Sequence, residues 1–191
     1  ESRIIFKIAI IALIIFVLPF PASSLYSKSM EAKDRMFDTQ YPGLDIAGEY
    51  IRAHASPNDR MMHSSGQSFG VVWHAGMRGY KLSLDLNYTK KAEDQYNVSW
   101  VFIYQWAIPG FMQNPEYMDY LRENYKLVEI AFVPVNEQQV QPLYFLFQKG
   151  GTFNDSQLNS DLQKAAQEGR ILTRTYYRTK SSYEVKYIDL E

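Results

Sequence analysis

An apolar segment near the amino end constrains this chain more than any other feature of its sequence. Residues 4–20 contain one charged side chain, Lys7, and the prolines Pro19 and Pro21 mark the carboxyl end of the segment. A membrane-spanning helix needs about 20 apolar residues, with a lower limit of about 17. Proline ends a helix because it lacks an amide proton and clashes with the preceding turn. The sequence therefore predicts a transmembrane anchor over residues 1–24 that contacts the lipid bilayer through residues 4–20.

A signal peptide is the alternative interpretation of the same segment. Arg3 and Lys7 would form its charged region, and the small residues 22–24 would form its cleavage site. The segment is present in this chain, so we favour a retained anchor. Basic residues flank the segment on both sides in similar number, and the positive-inside rule therefore does not fix its orientation.

The rest of the chain predicts one domain outside the cytosol. Residues 25–40 are polar and charged, which is typical of a juxtamembrane stalk, and residues 41–191 are enough for a single domain with its own core. The formal net charge is -1, so no basic excess points to nucleic acid. The absence of cysteine excludes disulfides, thiolate metal sites and cysteine nucleophiles.

Strand and helix patterns alternate along this domain. Apolar residues at helical spacing begin at Leu44, and continuous apolar runs at residues 98–104 and 127–133 are typical of strands buried on both faces. Asn114 and Asn154 are predicted helix caps. The predicted elements in order are a helix from 44, a strand at 60–64, helices at 67–73 and 89–95, a strand at 98–104, a helix from 115, strands at 127–133 and 143–147, a helix ending at Gly169, and a hairpin within 171–188.

This order predicts an α/β fold: a three-layer sandwich around a mixed, mainly parallel sheet, preceded by one transmembrane helix. Helical crossovers between the strands at 60–64, 98–104 and 127–133 favour parallel pairing. The later strands follow one another too closely for helical crossovers, and we expect them to be antiparallel.

No motif in the sequence predicts catalysis or a cofactor. The glycines at residues 66 and 70 match neither a dinucleotide fingerprint nor a phosphate-binding loop, and no lysine accompanies them. His54, His63 and His74 lack the spacing of metal ligands. No serine lies in a nucleophile elbow. We therefore predict no catalytic residue, no metal site and no cofactor in this chain.

The sequence does predict a surface for a ligand or partner. Ligands of open α/β sheets lie beyond the carboxyl ends of parallel strands, and the aromatic residues Trp106 and Phe111 follow the apolar strand at 98–104. We expect both side chains, with Gln67 and Arg78 nearby, to face a membrane, a lipid-linked ligand or a partner chain. Tyr80 belongs to the same candidate set. Packing of these aromatic residues into the core is the alternative, and the sequence leaves it open.

Three groups of residues together resemble a known family. The first group, in the helix, turn and strand that begin the domain, comprises Ala47, Tyr50, Ile51, His54, Pro57 and Asp59. The second group is Arg78-Gly79-Tyr80, and the third lies within residues 120–128. With the apolar segment upstream, these groups resemble the last membrane helix and the C-terminal soluble domain of GT-C membrane glycosyltransferases, which include dolichyl-phosphate-mannose-protein mannosyltransferases and aminoarabinose transferases. The resemblance covers residues 4–150.

The resemblance implies a non-catalytic domain on the periplasmic or extracellular side of a membrane. The catalytic acid of that family lies in an early extracytoplasmic loop, so the resemblance assigns no catalytic residue to this chain. Glycosyltransferase activity would belong to a longer polytopic chain, and a lipid-linked sugar would be the ligand. The alternative is a single-pass structural or accessory subunit that contacts membrane protein partners.

Overall fold

The computed structural model describes most of the predicted domain and part of the stalk. Helix α1, over residues 24–32, belongs to a small unit of its own, and a larger unit extends from Pro42 to Tyr176 and from Ser182 to Leu190. None of the helices in the described ranges combines the length and the apolar character needed to cross a membrane. The predicted anchor at residues 4–20 lies outside them. The described ranges are 24–32, 42–66, 70–136, 139–177 and 181–190.

Side chains cap the amino ends of three helices of the larger unit. Asn114 accepts a hydrogen bond from the backbone nitrogen of Tyr117, and Asn154 accepts one from that of Gln157, as the sequence predicts. Asp85 caps a third helix in the same way. The helices are α2 (Leu44–His54), α3 (Gly70–Ala75), α4 (Leu86–Tyr96), α5 (Ile108–Met112), α6 (Pro115–Asn124) and α7 (Asp155–Gln167).

One mixed sheet forms the centre of this unit. The strands are β1 (Arg60–His63), β2 (Gly79–Lys81), β3 (Val98–Tyr104), β4 (Tyr125–Asn136), β5 (Gln139–Lys149), β6 (Leu172–Tyr177) and β7 (Ser182–Asp189). Their order across the sheet is β2-β1-β3-β5-β4-β7-β6. The prediction of an α/β fold with a mixed sheet is therefore confirmed.

The prediction of a mainly parallel sheet is wrong. β1 pairs in parallel with β2 and β3, but β5 is antiparallel to both β3 and β4, and β7 is antiparallel to β4. β4 has the same direction as β3, as its helical crossover predicts, yet β5 lies between them. Only two residues of sequence separate Asn136, the last residue of β4, from Gln139, the first of β5. A connection this short is typical of a hairpin, so β4 and β5 pair in antiparallel fashion.

Helices cover both faces of the sheet. In β3, Trp100, Phe102 and Tyr104 pack with α2 and α3, whereas Val101 and Ile103 pack with α4, α5 and α6. Successive side chains of a strand point to opposite faces. The continuous apolar run of β3 therefore lies between two helical layers.

Two short elements escape sequence prediction. β2 has three residues and no apolar run, and Gly79 is required there because a Cβ would lie 2.2 Å from Cγ1 of Val72. α5 occupies a segment predicted as a loop, and Pro109 lies in its first turn, where a missing amide proton costs nothing. The helix predicted at 67–73 is observed as α3, and residues 67–69 lie outside the described ranges.

A glycine allows α2 and α3 to approach each other closely. A Cβ at Gly48 would lie 2.3 Å from Cβ of His74 and 2.9 Å from the backbone nitrogen of Ala75. Real side chains do not approach backbone atoms so closely, so any larger residue would push the helices apart. Gly48 therefore sets the position of α3 against the amino-terminal part of the domain.

Replacement of Gly48 by alanine is expected to lower the free energy of unfolding by about 2 kcal/mol, because the added methyl group overlaps α3. Gly110→Ala is the matched control. Its Cβ would lie 3.6 Å from Leu84, an ordinary contact, and alanine is favoured over glycine in a helix by up to about 1 kcal/mol. Urea denaturation of the two variants measures the difference, and equal effects of the two substitutions would contradict the close packing of α2 against α3.

Candidate functional site

The structure separates two residues that the sequence places together. Arg78 precedes β2 and lies at the amino edge of the parallel strands, whereas Trp106 follows β3 and lies at their carboxyl edge. The prediction that these two residues are neighbours is wrong, because β2 was not predicted and Arg78 was therefore assigned to the opposite edge. Gln67 lies outside the described residues.

Two of the predicted aromatic residues are part of the packed structure. Tyr80 lies on β2, and its ring stacks on Tyr96 with 4.5 Å between the ring centroids. Phe111 is only 3% exposed and packs edge-on against Tyr117. The expected exposure of Phe111 is therefore not found, because α5 turns this side chain toward α6. Trp106, in contrast, is 64% exposed.

Because Phe111 is buried and Trp106 is exposed, serine substitutions at these two positions are expected to change the free energy of unfolding by different amounts. Phe111→Ser is expected to lower the free energy of unfolding by about 3–5 kcal/mol, because it leaves a cavity in the core. Trp106→Ser is expected to change it by about 1 kcal/mol or less, because most of the indole already contacts water. Chemical denaturation followed by circular dichroism measures both values. Similar losses for the two variants would show that Trp106 also contributes to the core.

The described surface contains a cleft lined by three arginines. It lies at the amino edge of the sheet and has a volume of about 480 Å³. Arg52 reaches it from the last turn of α2, Arg60 from the start of β1, and Arg78 from the residue before β2. The remaining lining residues are Ala55, Ser56, Pro57, Ala75, Gly76 and Met77.

These arginines differ from the others in the described part of the chain. Arg122, Arg170 and Arg174 each form an ion pair with a carboxylate. Among the described residues no carboxylate pairs with the three arginines of the cleft. Arg52 donates to the backbone oxygen of Trp73 at 3.4 Å, and Arg60 donates to that of Asp59 at 2.7 Å. Most of their guanidinium N–H groups therefore remain available to a ligand.

The carboxylate of Asp59, the residue before Arg60, holds the wall of the cleft through hydrogen bonds. Its Oδ2 accepts hydrogen bonds from Nε1 of Trp100 and from the backbone nitrogen of Ser56, both at 3.0 Å. Its Oδ1 accepts one from the hydroxyl of Ser99, also at 3.0 Å. Asp59 thus fixes the turn between α2 and β1 onto β3, which accounts structurally for an acid at this position.

The local charge balance stays positive. The carboxyl ends of α2 and α3 both border the cleft, and a helix end carries about half a negative charge at most. Together with the carboxylate of Asp59, these ends offset about two of the three guanidinium charges. A net positive charge of about one remains, and it faces open solvent.

A helix-ending turn shapes the floor of the cleft. Gly76 has a left-handed φ of +67°, its nitrogen donates to the oxygen of Trp73, and the nitrogen of Met77 donates to that of Val72. This pair of bonds is the Schellman arrangement, in which glycine is favoured. The turn ends α3 and directs the chain along the cleft toward Arg78.

Two carboxyl groups outside the arginine cleft are buried and have hydrogen-bond partners within the protein. Glu93 accepts hydrogen bonds from the hydroxyls of Tyr120 (2.6 Å) and Tyr125 (2.7 Å) and forms an ion pair with Lys149 (2.6 Å). Burial and the Glu93 charge raise the pKa of Tyr125 above its ordinary range. The three donors join α4 and α6 to the sheet. We therefore assign this cluster to stability and not to a ligand site.

Glu129 is the second buried carboxyl group. It is 2% exposed on β4, and the hydroxyl of Tyr144 donates to its Oε1 at 2.7 Å. Burial raises the pKa of Glu129 from its ordinary value near 4.5 to about 8, since the surroundings disfavour the charged form. The Tyr144 hydrogen bond opposes this shift, and the nearby charge of Asp189 adds to it.

The raised pKa of Glu129 makes stability depend on pH. Between about pH 4.5 and pH 8 the folded protein keeps the Glu129 proton, whereas the unfolded chain releases it. The contribution of this group to the free energy of unfolding is therefore complete below about pH 4.5 and is lost as the pH rises to about 8. Glu129→Gln keeps an oxygen for Tyr144 but cannot ionise. Its stability relative to wild type should rise by about 1.4 kcal/mol per pH unit between these limits.

Urea denaturation at pH 5, 6, 7 and 8 tests this dependence on Glu129. Glu123→Gln, at an exposed position of α6, is the control and should give a constant difference from wild type over the same range. Parallel stability curves for wild type and Glu129→Gln would contradict the raised pKa.

Neither a metal-binding group among the described residues nor a similar known protein helps to assign a site. The described residues contain no group of three His, Asp or Glu side chains placed to hold a metal ion. Comparison of the chain with protein family models, with curated proteins and with solved structures gives no significant match. The resemblance to GT-C glycosyltransferases therefore stays a prediction.

Proposed function

We propose that this domain is a non-catalytic binding module for an anion of the phosphate type, held at a membrane by the apolar segment at residues 4–20. The observation that carries the proposal is the convergence of Arg52, Arg60 and Arg78 on one cleft without carboxylate partners among the described residues. An anion in the cleft would be attracted by all three guanidinium groups at once.

The chemistry of the cleft favours binding over catalysis. A guanidinium group presents planar, parallel N–H donors that match the oxygens of phosphate. The hydroxyl of Ser56 adds a further donor at the same place. The described residues that line the cleft include no carboxylate and no imidazole, so none of them has an ordinary pKa suited to proton transfer near neutral pH.

The family resemblance supplies one ligand of this chemistry. A lipid-linked sugar carries phosphate between its lipid and its sugar, and this group would occupy the arginine cleft. The domain would then lie on the periplasmic or extracellular side of the membrane, and the transfer reaction would belong to another part of the enzyme.

Replacement of each arginine tests the proposal. Arg52→Gln, Arg60→Gln and Arg78→Gln are each expected to weaken the binding of inorganic pyrophosphate by about tenfold, the effect of one charge-assisted hydrogen bond. The full chain in nonionic detergent is titrated by calorimetry, and affinity should fall as salt rises. Arg170→Gln removes the same charge at the end of α7 and should leave binding unchanged. Equal losses in all four variants would contradict a localised site.

An accessory subunit is the second candidate function. Trp106, Leu84 and Met112 are exposed apolar residues in and beside α5, and Leu84 lies within contact distance of a Cβ at Gly110. Exposed apolar groups of this kind mark contacts with partners. A partner protein would then co-purify from native membranes, and Trp106→Ser would release it. Purification of the wild-type chain alone and as a monomer would contradict this function.

A further inference from the structure

The arginine cleft continues into a second groove of different character. This groove has a volume of about 460 Å³ and shares Arg52, Gly76 and Met77 with the cleft. Val72 and Trp73 complete its lining. Trp73 is 74% exposed, although an indole of this size usually finds a partner or a place in the core. A ligand held by the arginines can therefore extend directly over Trp73.

The side chains of the groove are those that bind planar rings. The indole of Trp73 offers a flat face for stacking. The guanidinium of Arg52 binds ring faces through cation–π contacts, and the thioether of Met77 makes favourable contacts with ring edges. No carboxylate, amide or hydroxyl side chain lines this groove in the described part of the chain. A chain of sugar hydroxyls would find few partners there.

Gly76 lies in the wall that the cleft and the groove share. A Cβ at Gly76 would lie 3.8 Å from Nε of Arg52, at the junction of the cleft and the groove. Gly79 lets Val72 lie directly on β2, which holds α3 and the Trp73 side chain beside the arginines. The charged and the aromatic surfaces therefore belong to one continuous binding surface.

We infer that the ligand is a phosphate monoester of a planar ring, the class to which aryl phosphates and nucleoside monophosphates belong. The phosphate oxygens accept hydrogen bonds from Arg52, Arg60 and Arg78, and the ring lies against Trp73 and Met77. The inference rests on the proposed function for the phosphate, and it assigns a planar ring in place of the lipid-linked sugar that the family resemblance implies. The arginines hold the phosphate end of the ligand through charge complementarity, and the exposed indole of Trp73 holds the ring end.

Two esters of matched size test the inference. Phenyl phosphate and cyclohexyl phosphate carry the same dianion at pH 8 but differ in the planarity of the ring. Calorimetric titration of the full chain in nonionic detergent should give phenyl phosphate about tenfold tighter binding than cyclohexyl phosphate, since only the planar aromatic ring can stack face to face on the indole of Trp73. Inorganic phosphate, which lacks an organic group, should bind no more tightly than cyclohexyl phosphate.

Trp73→Ala should abolish the preference for phenyl phosphate and leave the affinity for cyclohexyl phosphate within about twofold. Trp106→Ala, at the opposite edge of the sheet, is the matched control and should keep the preference. Arg78→Gln should weaken both esters by the same factor. Circular dichroism establishes that each variant is folded.

The outcomes distinguish this inference from the function on which it rests. If both esters bind equally, or if the preference survives Trp73→Ala, the assignment of a planar ring is overturned and the phosphate site stands. If neither ester nor inorganic phosphate binds, the phosphate site itself is overturned.

Discussion

The burial of β3 on every side is the constraint on which the rest of the domain depends. All residues of Val98–Tyr104 are buried except Ser99, and hydrogen-bonded strands flank both edges. A strand of this kind cannot face water on either side, so helices must cover both faces of the sheet. α2 and α3 cover one face, and α4 to α6 cover the other. The position of β1, and with it the arginine cleft, follows from this arrangement.

Charge pairing around α2 explains why positive charge is left over at one of its ends. Near the amino end of this helix, Asp45 and Glu49 both pair with Arg174 of β6. Tyr176 donates a further hydrogen bond to Asp45 and accepts one from the nitrogen of Gly43. The carboxylates of Asp45 and Glu49 are therefore already paired. Arg52, at the carboxyl end of the same helix, has no carboxylate partner among the described residues.

The two edges of the parallel strands have different polar chemistry. At the carboxyl edge, the hydroxyl of Ser64 accepts from the nitrogen of Tyr104, the hydroxyl of Tyr104 donates to the oxygen of Pro42, and His63 bonds to Ser65. These groups satisfy one another within the described chain. At the amino edge, three guanidinium groups keep free donors. The proposed binding cleft thus lies at the edge opposite to the usual one, since ligands of open sheets generally lie beyond the carboxyl ends of the strands.

Several elements of the fold follow from signals that are local in the sequence. Apolar runs located β3 and β4, and the caps Asn114 and Asn154 located α6 and α7, because burial pattern and backbone capping act within a few residues. The short β2, the insertion of β5 between β3 and β4, and the burial of Phe111 were decided by tertiary structure. The grouping of Arg52, Arg60 and Arg78 also required the fold, since parallel pairing of β1 with β2 brings together residues that the chain separates. Long-range pairing of this kind leaves no periodic signal in the sequence.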